Sequence, residues 1–453
     1  MRSFAAALSI ACLAVTCGMH EARASDETAP PSPQSPKRAM PDYDGLGMPD
    51  TKSDNAGVWL ARVLLSPLYF VSELVIRRPA EALLNALDSC DCMTHAYETF
   101  SFGAHHKLGF VPVGFVDAGF YPGIGVYGHW NDAPVSRNDM RLHYELWPAQ
   151  WFGGSLTDRY RLDDRRWVQL RVTATRRPDQ VFYGVGPTSL QSQQSRYGIA
   201  RFDLSGAIEA HGWRSTRVRG TLGVRKVDVF PGHYADDPSL EQAAAAGAFE
   251  VPWGFNRGYT APYSDLRLTL DSREPGKERG SSARVEVESE QGADAAHQPV
   301  GGWVRYGASA GAFIDLNDHG RILGVQLAAL FADPLGNQPV PFTELVSLGG
   351  DVWMQGYFPG RLVGRSATVA ALGYEWPIAA KLDAKMQAVF GNVFGAYFQG
   401  FDPSLLRFSA AIGLTTRTIE PPLEILVGFG TETFEHGAQV DSVRFVIGVP
   451  RSF

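Results

Sequence analysis

Residues 166–177 read RWVQLRVTATRR, and every second side chain from Val168 onward is apolar as far as Ala174. The side chains between them are polar or charged: Gln169, Arg171, Thr173 and Thr175. Successive side chains of a β-strand point to opposite faces of the sheet. The stretch therefore predicts a strand with one apolar face and one charged face.

The same alternation recurs along most of the chain. It predicts fifteen strands, at 119–131, 139–149, 152–162, 166–177, 196–210, 214–230, 262–272, 281–292, 301–315, 320–332, 365–377, 383–394, 405–417, 422–431 and 440–453. Single-chain bacterial barrels have an even number of strands. We therefore expect a sixteenth strand, and we place it within 232–258.

The length of these segments indicates where the sheet lies. Runs of about ten residues suit a tilted strand that crosses a bilayer, and charged inner faces suit a wet lumen. Sheet edges cannot stay open in lipid, so the sheet must close. The pattern predicts an all-β membrane protein: a closed antiparallel transmembrane β-barrel of about sixteen strands in the outer membrane of a Gram-negative cell.

Composition excludes some classes of function. The 453 residues include 41 Lys and Arg against 48 Asp and Glu, a formal net charge of −7. An acidic excess repels phosphates, so we expect no nucleic-acid partner. With 45% hydrophobic residues, the chain is also too apolar to be disordered throughout.

The N-terminal quarter has a different character from the rest. Residues 1–24 read as a signal peptide, and 25–56 as a disordered linker rich in Pro and Ser. Residues 57–106 are predicted to form a helical segment, either in the periplasm or as a plug in the lumen. The barrel is expected to cover 107–453.

Several short motifs in the barrel resemble those of one family. They are Phe182-Tyr183-Gly184-Val185-Gly186, Leu348-Gly349-Gly350, Met354-Gln355-Gly356-Tyr357, Gly360-Arg361, Tyr374-Glu375-Trp376-Pro377-Ile378 and Gly391-Asn392-Val393-Phe394. In order and character they resemble the BamA/TamA (bacterial surface antigen) superfamily of outer-membrane assembly factors. The resemblance implies a sixteen-stranded barrel with a long sixth extracellular loop at about 333–365. It also implies a member without the periplasmic repeat domains, because residues 25–106 show no βααββ pattern.

One position departs from the family pattern. Family members carry an Arg in a Val-Arg-Gly-Phe or Val-Arg-Gly-Tyr loop motif, and this Arg reaches acidic residues on the next two strands. Here the position is Gln355, and the matching acidic positions are Gly373 and Val389. We therefore expect a loop held by packing of Tyr357 and Phe358, without that ion pair.

Restoring the family residue with Gln355→Arg should add no stability, because its acidic partners are missing as well. The melting temperature of the variant measures this. A clear rise would contradict the expectation.

The resemblance implies a non-enzymatic protein that assists insertion or translocation of protein or lipid, through a seam between the first and last strands. Gly448 and Pro450 would weaken pairing there, since proline lacks a backbone donor. Phe453 resembles the terminal aromatic residue read by the barrel-assembly machinery. Expected partners are outer-membrane lipids, that machinery during biogenesis, and protein or lipid clients. A passive outer-membrane channel or surface receptor is the alternative function.

A third function, an outer-membrane lipid hydrolase, would rest on Gly307-Ala308-Ser309-Ala310-Gly311. A nucleophile needs a strand-to-helix turn there, and the alternation predicts a continuous strand. Cys90, Cys92 and His95 form an incomplete metal-ligand set, since structural zinc takes four ligands. We expect no catalytic residue, no metal and no cofactor.

Overall fold

Sixteen antiparallel strands close into one barrel in the computed structural model, which describes residues 99–146, 151–274, 280–316, 320–379, 382–416 and 423–448. Each strand pairs with its neighbours in sequence, and the last strand pairs with the first. In chain order, β1 to β16 are Leu108–Asp117, Gly123–Asn131, Asn138–Leu146, Phe152–Arg161, Arg166–Phe182, Ser195–His211, Arg217–Pro231, Tyr259–Asp271, Ser282–Ala293, Gly302–Asp315, Ile322–Pro334, Ser366–Ala379, Leu382–Phe394, Arg407–Thr416, Glu424–Thr431 and Val440–Gly448. The predicted barrel and its strand number are confirmed.

The alternation seen in the sequence separates the two faces of the wall. On β5, Val168 and Leu170 lie exposed on the outside, whereas Gln169 between them is buried. Arg225 of β7 and Glu290 of β9 meet inside the barrel. The outer face is therefore apolar and the inner face carries the charges, as the period of two predicts.

The strand that the sequence analysis left unassigned is β1, and its placement within 232–258 was wrong. That region contains the helix Leu240–Ala245, which Ser239 caps through its side chain. β1 escaped the period analysis because both of its faces are apolar. Phe110 lies outside, while Val113 and Phe115 pack inside against residues of neighbouring strands.

The connections differ in length at the two ends of the barrel. One end, here called the loop end, carries the segments 183–194, 232–258 and 335–365. The other end, called the turn end, carries short turns such as 132–137 and 162–165. Since strands alternate in direction, β1 begins and the described part of β16 ends at the turn end.

The height of the wall is uneven around the barrel. β5 and β6 have 17 residues each, whereas β15 has 8 and β16 has 9. The short strands are those beside the closure of the barrel.

The remaining elements are small. The strand Ser101–Phe102 pairs with the start of β1, and Val346–Leu348 pairs with Leu362–Gly364 in a hairpin of its own. Single 3-10 turns lie at Ala104–His106, Gln191–Gln193, Phe342–Glu344, Ala396–Phe398, Pro403–Leu405 and Phe434–His436.

Several predictions concern residues outside the described ranges. These are the signal peptide, the linker, nearly all of the helical segment 57–106, the Cys90–Cys92–His95 set, and Pro450 and Phe453 at the end of the chain. Within the described ranges, no helix has the length and apolar character needed to cross a membrane.

Candidate functional site: loop 6 and the seam

The connection between β11 and β12, residues 335–365, is called loop 6, and its central part lies inside the barrel. Its apolar side chains form one buried cluster with the inner faces of the wall strands. The loop contributes Val340, Val346, Leu348, Met354, Tyr357 and Leu362, and β12 and β13 contribute Ala367, Val369, Ala371, Val389 and Val393. Loop 6 is thus part of the core of the protein.

Gly356 lets loop 6 lie directly on the inner face of the wall. Its N–H donates to Ser409 Oγ of β14 (3.0 Å), and its carbonyl accepts from Ser442 Oγ of β16 (2.9 Å). A Cβ at this position would stand 2.0 Å from the carbonyl oxygen of Phe429 on β15. Only glycine fits so close to a strand backbone.

Replacing Gly356 with alanine should therefore push loop 6 off β15. We expect Gly356→Ala to destabilise the barrel by about 1–3 kcal/mol, the usual cost of overpacking a core. The temperature at which the folded band disappears on a gel measures it. Gly336→Ala is the matched control, because the same loop has open space around Gly336. Equal effects of the two variants would contradict the expectation.

Tyr357, the next residue, is fully buried and its hydroxyl joins two strands. Its Oη donates to the carbonyl of Phe408 (3.2 Å) and accepts from the N–H of Thr431 (2.7 Å). Its ring lies over Gly430, where a Cβ would come within 2.4 Å of ring atoms. Met354, at the start of the motif, is also fully buried.

Gln355 takes no part in an ion pair among the described residues; its amide donates to the carbonyl of Asp351 (2.5 Å). Val389 lies in the same apolar cluster as Met354 and Tyr357. Phe358 packs edge-on against Phe120, with ring centroids 5.3 Å apart. Val389 and Phe358 thus hold this part of loop 6 through apolar contacts.

The expectation that packing holds loop 6 was nevertheless incomplete, because ion pairs at other positions hold it as well. Arg361 is fully buried. Its guanidinium donates to Ser189 Oγ (2.8 Å) and to Asp441 Oδ2 of β16 (3.2 Å), and it lies 4.2 Å from the ring centre of Tyr183. Loop 6 is therefore tied both to β16 and to the loop 183–194.

A second buried arginine completes this network. Arg407 of β14 donates to Glu432 (3.2 Å), to Asp441 (3.4 Å) and to the carbonyl of Ser189 (2.7 Å). Burial lowers the pKa of Arg361, and the nearby Arg407 lowers it further, while Asp441 opposes both. Asp441 is therefore the carboxylate on which both arginines depend.

Loop 6 is also anchored to the opposite wall, through Glu344. This buried carboxylate accepts from Arg225 of β7 (3.0 Å) and from Arg305 of β10 (3.3 Å), and Tyr259 donates to it as well. Glu290 also binds Arg225 (2.9 Å). Charged contacts thus fix the loop on both sides of the lumen.

The closure between β16 and β1 is called the seam, and the structure describes it as far as Gly448. Only Val446, Ile447 and Gly448 of the described residues pair with β1, opposite Asp117, Val116 and Phe115. Gly448 has φ of +132°, and a Cβ there would meet the carbonyl oxygen of Gly114 at 2.0 Å. The seam therefore needs glycine at position 448.

A buried ion pair supplements these backbone contacts. Arg444 of β16 donates through Nη2 to Asp117 Oδ2 of β1 (2.9 Å) and through Nε to the same carboxylate (3.2 Å). Arg444 Nη2 also donates to Asp351 Oδ1 of loop 6 (2.8 Å). One guanidinium thus joins the last strand, the first strand and loop 6.

Part of this site was predicted from the sequence. The structure places Met354, Gln355, Gly356 and Tyr357 in loop 6 inside the barrel, and Gly448 at the seam. No site prediction from the sequence covered Asp117, Asp351, Arg407, Asp441 or Arg444. Arg361 was named only as part of a motif. The available signal was a charge within an apolar strand, as in Val443-Arg444-Phe445.

The solved structures with this fold are bacterial barrels. The chain superposes on BamA from Haemophilus ducreyi lacking POTRA domains 1-3 with a TM-score of 0.51 and 12% identity, covering 76% of this chain and 70% of that one. The fold is that of a BamA-type barrel. CdiB from Acinetobacter baumannii matches this BamA-type barrel with a TM-score of 0.48 and 12% identity, over 76% of this chain and 60% of that one. No protein-family model and no curated protein matches the sequence.

The Gly307–Gly311 motif of the BamA-type barrel lies within a strand. Ser309 sits within β10, opposite Glu286 and Ala328, and not at a strand-to-helix turn. Across the described ranges, no group of three His, Cys, Asp or Glu side chains is placed to hold a metal ion.

Proposed function

We propose that this BamA-type barrel assists the insertion or translocation of protein or lipid at the outer membrane of a Gram-negative cell, without enzymatic chemistry. The seam is the observation that carries the proposal. There the guanidinium of Arg444 joins the last strand to the first through Asp117 and also contacts Asp351 of loop 6. A change in this contact would let the first and last strands part, and a parted seam would open the lumen towards the lipid.

The proposed partners follow from this location. Outer-membrane lipids would surround the apolar outer face, and the barrel-assembly machinery would act during biogenesis. Clients would be unfolded protein or lipid that reaches the seam. We also propose that residues 1–24 are removed as a signal peptide and that 57–106 form a helical segment, in the periplasm or as a plug in the lumen.

The test uses liposomes with and without the purified protein. A different, unfolded barrel protein is added, and the time it takes to become heat-modifiable on a gel is measured. We expect faster folding of this client in the liposomes that contain the protein. An unchanged rate would overturn the proposal, and conductance across a planar bilayer would then favour the passive channel.

A further inference from the structure

Loop 6 makes three polar contacts with β16, and only one of them continues to β1. Arg361 binds Asp441, the carbonyl of Gly356 accepts from Ser442, and Asp351 binds Arg444. Arg444 alone then reaches Asp117 across the seam. The contact with Asp351 is therefore the direct polar link between loop 6 and the closure of the barrel.

We propose that loop 6 controls the seam through this link, because Asp351 and Asp117 share the guanidinium of Arg444. The inference rests on the proposed function, since it describes how the opening of that seam is governed. None of the motifs quoted from the sequence contains Asp351 or Arg444.

The exposure of the three side chains indicates which of the two contacts of Arg444 breaks first. The side chains of Arg444 and Asp117 are 1% and 3% exposed, whereas that of Asp351 is 47% exposed. A buried ion pair is costly to separate, while an exposed carboxylate is readily replaced by water. Release therefore begins with Asp351.

The two carboxylates share one nitrogen atom of Arg444, and this affects the seam. Nη2 of Arg444 donates to both carboxylates, at 2.8 Å to Asp351 and 2.9 Å to Asp117. While Asp351 is bound, the guanidinium is held from two sides in the orientation that Asp117 needs. When loop 6 withdraws, Arg444 keeps one partner and gains rotational freedom, so its hold on β1 weakens.

Hydrogen exchange of the full chain in detergent micelles tests this directly. We expect Asp351→Asn to speed amide exchange in β1 and β16 about tenfold, the loss of one charged hydrogen bond, with β9 unchanged. Asp333→Asn is the matched control, because Asp333 binds Arg365 at the root of loop 6 and contacts neither seam strand. Equal effects of the two variants, or no effect of Asp351→Asn, would overturn the proposal.

The coupling can also be measured in the opposite direction, from the seam to loop 6. A coupling between two sites acts equally in both directions. Asp117→Asn should therefore speed exchange in loop 6 at 346–364, and Asp117→Asn with Asp351→Asn should change exchange by less than the product of the two single effects. A full product would mean that the two carboxylates act independently.

A further variant covers the case in which Asp117→Asn does not fold. Arg444→Lys keeps the charge, but it replaces the fork of donors with a single ammonium group. In that background Asp351→Asn should have little further effect on the seam. These exchange measurements need no client, so they test the link through Arg444 separately from the proposed function. A negative exchange result would contradict the link, whereas a negative liposome assay would contradict the proposed function.

Discussion

A disulfide between Val116→Cys and Ile447→Cys is expected to abolish the acceleration of client folding and reduce it to the rate in empty liposomes. The two residues lie directly opposite each other on β1 and β16. Opposed residues of antiparallel strands have Cα atoms about 4.5–5.5 Å apart, which a disulfide can span. The crosslink would hold the seam closed while leaving the rest of the barrel unchanged. The variant is made with Cys90→Ser and Cys92→Ser, and a reducing agent should restore the activity.

The control places the same crosslink elsewhere in the wall. Val287→Cys with Ala308→Cys joins β9 to β10 at an equally opposed pair on the outer face. This barrel should retain the acceleration under oxidising conditions. If both crosslinks inhibit equally, the seam has no special part in the activity. If neither inhibits, clients do not use the seam.

Asp441→Asn is expected to cause the largest loss of stability among single substitutions in loop 6 and its contacts. Asp441 is the carboxylate that both Arg361 and Arg407 contact, and both arginines are fully buried. Removing one member of a buried ion pair leaves uncompensated charge, which typically costs about 3–5 kcal/mol. The measurements are the unfolding temperature on a gel and the cleavage of loop 6 by protease.

Glu432→Gln provides the matched comparison, because Glu432 contacts Arg407 (3.2 Å) and is the more exposed acid of the network. The acid-to-amide change is the same, yet Asp441 remains to bind both arginines. We expect a much smaller loss than for Asp441→Asn. Similar losses for the two variants would show that the network shares its charge evenly and that Asp441 has no central role.

The fold could be predicted because the side chains of a barrel strand alternate between an apolar outer face and a polar inner face, and this alternation is visible in the sequence. Fifteen strands follow from the period of two, and the even strand number of single-chain bacterial barrels predicts the sixteenth. β1 could not be found in this way, because Val113 and Phe115 face packed protein inside and Phe110 faces outward. A strand that is apolar on both faces has no period to detect.

The site could be predicted only where a short motif carried it. Gly356 and Tyr357 stand together in one motif, and their contacts depend on their own backbone. Arg444 and Asp117 are 327 positions apart, and alternation says that each faces inward without saying which charges meet. The ion pairs of loop 6 depend on the register of the closed barrel, which the sequence pattern leaves undetermined.

At the outer-membrane location proposed above, the uneven wall would determine how the surrounding bilayer adapts. At about 3.3 Å per residue and a tilt of about 40°, the 8 residues of β15 rise roughly 20 Å, whereas the hydrocarbon layer is about 30 Å thick. The 17 residues of β6 exceed that thickness. Hydrophobic mismatch of this kind makes lipids shorten beside the lower wall. At that location the barrel would compress the membrane beside β15, so a polar segment that arrives there would have less hydrocarbon to cross.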